Sequence, residues 1–301
     1  MNTNLANINI DKHLNISLST NENILGVVCI SHGMAEHVGR YKWLINKFNK
    51  SGYHVYAANH RGHGSWIDAN NTKGFFAENN GWQLVTDDLV AVIKKAQNEH
   101  LNLKHYLLGH SMGSWIALSA LQENIKLDGL VLSGSAKLDY LTITVQSLII
   151  NVINFFKGKY HHSELMDKLT MRRYNNLFQP ICSPNDWISS DKESVLNYTN
   201  DIKCGFIVTI GLWKDLVFGF KRVFSYKSYQ NIKFDIPIFI ISGDKDPVGG
   251  NGKLVRDLYL FLNSFYTNVS MYLVSEARHE VLTEKNKEEN FLKIINFIKQ
   301  N

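Results

Sequence analysis

The chain is short of cysteine. Its 301 residues hold three, Cys29, Cys182 and Cys204, at spacings that match neither a CxxC pair nor a zinc-ligand set. Reduced, structural thiols in a cytoplasmic protein are therefore expected, with Cys29 in the core as part of the apolar run "ILGVVCI". No apolar stretch runs uninterrupted for the ~18 residues that crossing a bilayer takes. The N-terminal "MNTNLANINIDKHLNISL" has no basic segment leading into an apolar one, which argues against a signal peptide. Charge of one sign is scarce too. Lys and Arg number 32 against 27 Asp and Glu, and the resulting +5 is scattered, with no basic stripe interleaved with aromatics. That excludes nucleic acid as an expected partner. Internal repeats and low-complexity tracts are missing, apart from a general richness in Asn.

What is present is ordinary globular material, 45% hydrophobic and 20% charged, enough for one large α/β domain with an insertion. Buried strands are expected at 23–33, 52–64, 104–109, 127–134, 235–243 and 269–274. Amphipathic helices are expected between them, as in "RYKWLINKFNKSG" and 81–100. Strands alternating with helices in this rhythm predict a mostly parallel sheet covered on both faces. The rhythm breaks from 137 to 232. There Leu138, Leu141, Val145, Leu148, Ile149, Val152, Ile153 and Phe156 fall at three- and four-residue steps, an apolar helix face. Aromatic-rich material follows, with Trp187, Trp213, Phe218 and Phe220. The expectation is a core of 1–136 and 233–301, with 137–232 inserted as a helical cap.

In "YLLGHSMGSWIALSAL" a strand stops at Gly109 and a helix begins at Met112, with Ser111 between two glycines. Alone, GxSxG arises by chance in about one chain in ten of this length. The strand–turn–helix context makes it a nucleophile elbow, in which small flanking residues let the serine hydroxyl stand clear of the sheet. A serine needs a general base. Of twelve histidines only His279, in "VSEARHEVLTE", lies beyond residue 162, in a loop between the last strand and the last helix. The acid that orients it should leave the strand "IPIFIISG", and both Asp244 and Asp246 do, with Pro247 slightly favouring the second. Two backbone N–H groups are needed for an oxyanion; Met112, just after the serine, and Met34, in "SHGMAEHVGRY", are the candidates. The Gly- and His-rich "NHRGHGSW" (59–66) reads as a turn and not a metal site, since no carboxylate or cysteine completes a ligand set.

Together "HGMAEHVGRY", "NHRGHGSW", "GHSMGS", "SGDKDPVG" and "ARHEVLTE" resemble α/β-hydrolases of the monoacylglycerol lipase and lysophospholipase type, grouped with serine aminopeptidase-like hydrolases. The resemblance runs from about residue 23 to the end. It implies the α/β-hydrolase fold, with Ser111 as nucleophile, His279 as base, Asp246 as acid, and Met34 and Met112 as oxyanion donors. It also implies a cap beginning at "LDYLTITVQSL", and no metal or cofactor. The pattern departs at Ala35, where better-known members have glycine, and at Asn59, where aspartate is common.

The expected activity is hydrolysis of a carboxylic ester, a small-molecule or single-chain lipid substrate. Leu141, Val145, Leu148, Ile149 and Val152 are candidates to line an acyl tunnel, and the outer cap surface is a candidate for transient peripheral membrane contact. Short-chain esterase and amide or peptide hydrolase activities share the same triad, a perhydrolase lies further off, and a silent lipid-binding module is the non-enzymatic alternative.

Overall fold

The computed structural model describes residues 10–67 and 72–301; the first nine residues of the stretch inspected for a signal peptide lie outside them. Among the described residues seven strands form one sheet: β1 (Leu14–Ser17), β2 (Gly26–Ser31), β3 (Tyr53–Ala58), β4 (Lys104–His110), β5 (Gly129–Ser133), β6 (Ile238–Gly243) and β7 (Val269–Val274). Their order across the sheet is β1-β3-β2-β4-β5-β6-β7. Only β1 runs antiparallel, pairing Leu14 with Ala58; every other neighbour is parallel, as the alternating pattern predicts.

Parallel strands covered on both faces must be apolar on both, and β2, β3, β5 and β6 are buried at every position. Successive side chains point to opposite faces. Leu107, Leu130, Leu132, Ile238 and Ile240 therefore meet one layer, that of α2 (Gly81–Glu99), α3 (Met112–Leu121) and α9 (Lys253–Leu262). Tyr106, Leu108, Val131, Phe239 and Ile241 meet the other, that of α1 (Lys42–Lys50) and α10 (Lys287–Gln300). Each fully buried Leu or Ile contributes roughly 1.5–3 kcal/mol of transfer free energy.

Between β5 and β6 run α4 (Tyr140–Lys157), α5 (Glu164–Leu169), α6 (Met171–Asn175), α7 (Lys192–Asn200) and α8 (Ile210–Val223). Asp139, Ser163, Asp191 and Thr209 accept a first-turn N–H at four of their N-termini. Helix α8 packs on α2, α3 and α4.

The face of α4 expected to line a tunnel points elsewhere. Leu141 and Leu148 are 72% and 62% exposed, Val145 and Val152 are exposed as well, and Ile149 alone of the five packs half-buried on the core. The buried stripe is Ile143 and Ile150, and Leu138 and Gln146 are the residues from this stretch that reach the cavity described below. The physical reason is that α4 is apolar almost all round, so its periodicity supplies several plausible stripes and tertiary packing selects one.

Candidate active site

The serine sits where a β-strand is turned straight into a helix. Ser111 takes φ 51° and ψ −122°, a conformation side-chain-bearing residues rarely adopt. Its N–H donates to the Ser133 carbonyl of β5, and its own carbonyl accepts from the Ser114 N–H. The flanking glycines are required by space. A Cβ at Gly113 would lie 2.1 Å from the Ser31 carbonyl oxygen, and one at Gly109 would lie 2.7 Å from the Gly113 oxygen. The elbow is thus held down by β2 and β5 while the hydroxyl is left clear.

Three side chains from distant parts of the chain meet there. Ser111 Oγ lies 2.9 Å from His279 Nε2, and His279 Nδ1 lies 3.0 Å from each carboxylate oxygen of Asp246. Asp246 is fully buried and further accepts from Ser242 Oγ and the Val248 N–H. Burial alone would raise its pKa, but the His279 charge and these hydrogen bonds outweigh that and hold the carboxyl below its ordinary value. The reciprocal balance acts on His279: burial pulls the imidazole down, and the Asp246 carboxylate more than reverses it, leaving the pKa raised. Asp244, the competing carboxylate, turns the other way and accepts the Glu276 N–H at 2.8 Å. The geometry brings Asp246 and not Asp244 to the histidine.

Met34, Met112, Ser111 and His279 line one wall of a cavity of about 340 Å³. Among the described residues, neither the Met34 nor the Met112 N–H has an acceptor in the protein. Most of the remaining wall is apolar or aromatic, including Trp115, Trp213, Leu216 and Phe220.

A buried ionic clasp, which the sequence reading missed, ties the Met34 loop to the His279 loop. Glu36 accepts the Gly33 N–H, the Tyr41 hydroxyl and Arg40 Nη1. Arg40 also grips Glu280 through two 2.7 Å hydrogen bonds. The Arg40 guanidinium holds the Glu36 carboxyl well below its usual range although burial opposes it. The signal available was the i, i+4 spacing of Glu36 and Arg40 within "HGMAEHVGRY". Asn59, standing where aspartate is common, accepts the Val38 N–H through its side chain and so braces the same loop.

His37, Asp201 and Cys204 place three metal-ligating atoms within 4.8 Å of one another. The tautomer speaks against a cation there. The Gly39 N–H donates to His37 Nδ1, so the ring proton sits on Nε2 and points at Asp201, 2.8 Å away. Burial also pushes the Cys204 thiol far above its usual value. The cluster is a hydrogen-bonded strut.

Residues 22–286 match the family described as "Serine aminopeptidase, S33". The chain belongs to that family. It is 31% identical over 272 residues to the "Monoglyceride lipase homolog" of Monkeypox virus, covering 86% of this chain and 83% of the relative. It is 37% identical over 111 residues to "Phospholipase YtpA" of Bacillus subtilis (strain 168); that match covers 36% of this chain and only 40% of the relative's length. Among solved structures, a highly thermostable carboxyl esterase from Bacillus coagulans in complex with glycerol superposes with a TM-score of 0.85 at 28% identity, over 95% of this chain and 93% of that one. Family and fold agree with the resemblance read from the five motifs.

Proposed function

We propose that this chain hydrolyses carboxylic esters of single-chain lipids, monoacylglycerols or lysophospholipids, through an acyl-enzyme on Ser111. The observation that carries the reading is the unbroken hydrogen-bonded chain from Asp246 through His279 to Ser111, opening on a largely apolar cavity. Ser111 Oγ attacks the acyl carbon while His279 Nε2 takes its proton. Asp246 holds the imidazole in the tautomer that leaves Nε2 free to accept, and stabilises it once charged. The Met34 and Met112 N–H groups receive the tetrahedral oxyanion. His279 then protonates the leaving alcohol and, in the second half, activates a water that releases the acid.

Residues 137–232 are read as a cap over a core of 1–136 and 233–301. In place of the stripe on α4, the acyl wall is assigned to Trp115, Leu138, Met171, Val208, Trp213 and Phe220. A largely apolar cavity of about 340 Å³ is of the size that takes a small-molecule ligand. The printed names of relatives, a monoglyceride lipase homolog and a phospholipase, support the same class. An aminopeptidase would want a free carboxylate for a terminal ammonium. Among the described residues the cavity's carboxylates are Glu36, Asp167 and Glu280, and each is paired with Arg40 or Arg172.

The outward face of α4, with Leu141, Leu148, Phe155 and Phe156 exposed, suits transient contact with a lipid surface; α4 also has the length and mean hydropathy of a membrane-crossing helix. Sedimentation with liposomes tests this, and binding that survives Leu148→Glu/Phe155→Glu counts against it. Three free thiols, two of them buried, support the cytoplasmic reading.

The decisive experiment is an initial-rate series on p-nitrophenyl esters from acetate to palmitate, with Ser111→Ala as blank. Rates should peak at medium or long chains, and Ser111→Ala should lose at least about 10⁴-fold while remaining folded. A peak at acetate that collapses by octanoate removes the lipid substrate, and activity retained in Ser111→Ala removes the mechanism.

A further inference from the structure

The turn that presents Met34 contains a residue in a conformation it would not choose. Ala35 has φ 54°, in the left-handed region that a Cβ disfavours. Something outside the turn must hold it, and the contacts come from the inserted helices. The Ala35 carbonyl accepts two hydrogen bonds, from Tyr198 Oη at 3.0 Å and from the Gly205 N–H at 2.9 Å. Tyr198 belongs to α7 and is 94% buried, its ring packed under the Arg40 guanidinium at 4.6 Å. Three residues on, Asp201 takes the His37 Nε2–H. The segment 198–205 therefore grips the loop 35–40 at its carbonyl, at its histidine and at its arginine. Met34 is the residue just before the strained alanine, so the peptide that carries its N–H is fixed from both sides: Gly33 N–H is anchored on Glu36, and the Ala35 carbonyl on α7.

We infer that Tyr198 is a positioning residue. Acting through the Ala35 carbonyl, it keeps the 33–36 turn in the left-handed form that aims the Met34 N–H at the oxyanion, so the inserted helices set one of the two donors. This rests on the assignment of Ser111 and Met34 proposed above. It also explains how an alanine can stand where glycine would take the same φ without help. The Tyr198 hydroxyl is spent on a backbone carbonyl, so its removal should act on the transition state more than on substrate binding.

The test is a double-mutant cycle on the full chain, with Tyr198→Phe measured in the wild-type and in the Ala35→Gly background, using p-nitrophenyl butyrate and reporting kcat and KM separately. Phenylalanine keeps the ring under Arg40 and deletes only the hydroxyl. In the wild-type background Tyr198→Phe should lower kcat by about tenfold with KM little changed, the order expected when an oxyanion donor is misaimed and not deleted. In the Ala35→Gly background the same substitution should cost less than about threefold, because glycine adopts the left-handed turn unaided. Equal losses in the two backgrounds overturn the inference and assign Tyr198 to the substrate or to general stability. So does a Tyr198→Phe enzyme with wild-type kcat. Covalent labelling of the wild type by a fluorophosphonate, lost in Ser111→Ala, is read first. If that fails, the hydrolase assignment falls and takes this one with it; if it succeeds, the cycle judges Tyr198 alone.

Discussion

Trp187 lies across the imidazole of His279, ring centroids 5.0 Å apart with planes inclined by 31°, and its carbonyl faces the His279 N–H at 3.5 Å. The next carbonyl, that of Ile188, accepts the Glu280 N–H at 2.7 Å. A segment of the insert thus pairs with the histidine loop and shields one face of its ring from water.

That shield has a consequence for pH dependence. Burial holds the His279 pKa down while Asp246 draws it up and prevails. On the proposed mechanism His279 must be neutral to act as base, so kcat/KM should rise with pH through a midpoint above the ordinary imidazole value of ~6.5. Trp187→Ala lets water in and removes part of the opposing burial, so the midpoint should move higher still. Initial rates on one ester from pH 5 to 9 give both midpoints; a midpoint in the variant that stays or falls rejects the shielding role.

The two carboxylates at the end of β6 should separate cleanly. Asp246→Asn keeps the shape but offers His279 Nδ1 the wrong partner, and kcat should drop by about 10⁴-fold. Asp244→Ala removes only the acceptor of the Glu276 N–H, so kcat should stay within a few-fold and stability should fall by about 0.5–1.5 kcal/mol. Both kcat values, together with urea midpoints, decide the matter. The reverse pattern would move the acid to Asp244.

Beneath the Met34 loop, His32, His60 and His63 are packed together and buried, with His32 and His60 rings 4.4 Å apart. Burial, the largest cause, lowers the pKa of His32 to about 4 and of His63 to about 3, and that of His60 well below its usual value. Depressed values mean that the unfolded chain takes up more protons. The stability these neutral rings contribute is complete above ~6.5, and it is lost as pH falls from there toward the folded-state values. The urea midpoint should therefore drop between pH 7 and 4.5, and His63→Gln should make that slope shallower. A midpoint independent of pH across this window would contradict the account.

How far the sequence could be read depended on how local each cause was. Ser111 was legible because its requirements, a strand before and small residues around, lie within ten positions. His279 was legible because no other histidine follows residue 162. The choice between Asp244 and Asp246 was not legible from the residues alone. Both leave the same strand, and what singles out one is the approach of His279 from 33 positions away; the family pattern had to decide it. Strand β1 went unseen because its side chains are exposed or half-exposed and carry no alternation. The stripe on α4 was misplaced because apolar residues ring that helix. The Arg40–Glu280 clasp spans 240 positions, a separation over which pattern says nothing.

Strands β5 and β6 are direct neighbours in the sheet, Leu130 beside Ile238, although all five inserted helices lie between them in the chain. The excursion leaves and re-enters at the same seam. Its length can therefore vary without breaking the pairing of β5 with β6. Tyr198, Trp187 and Asp201 tie the insert to the loops that carry Met34 and His279, and α8 anchors it on α2 and α3. On the proposed mechanism, exchanging the insert would alter what enters the cavity while the sheet that carries Ser111 and Asp246 keeps its register.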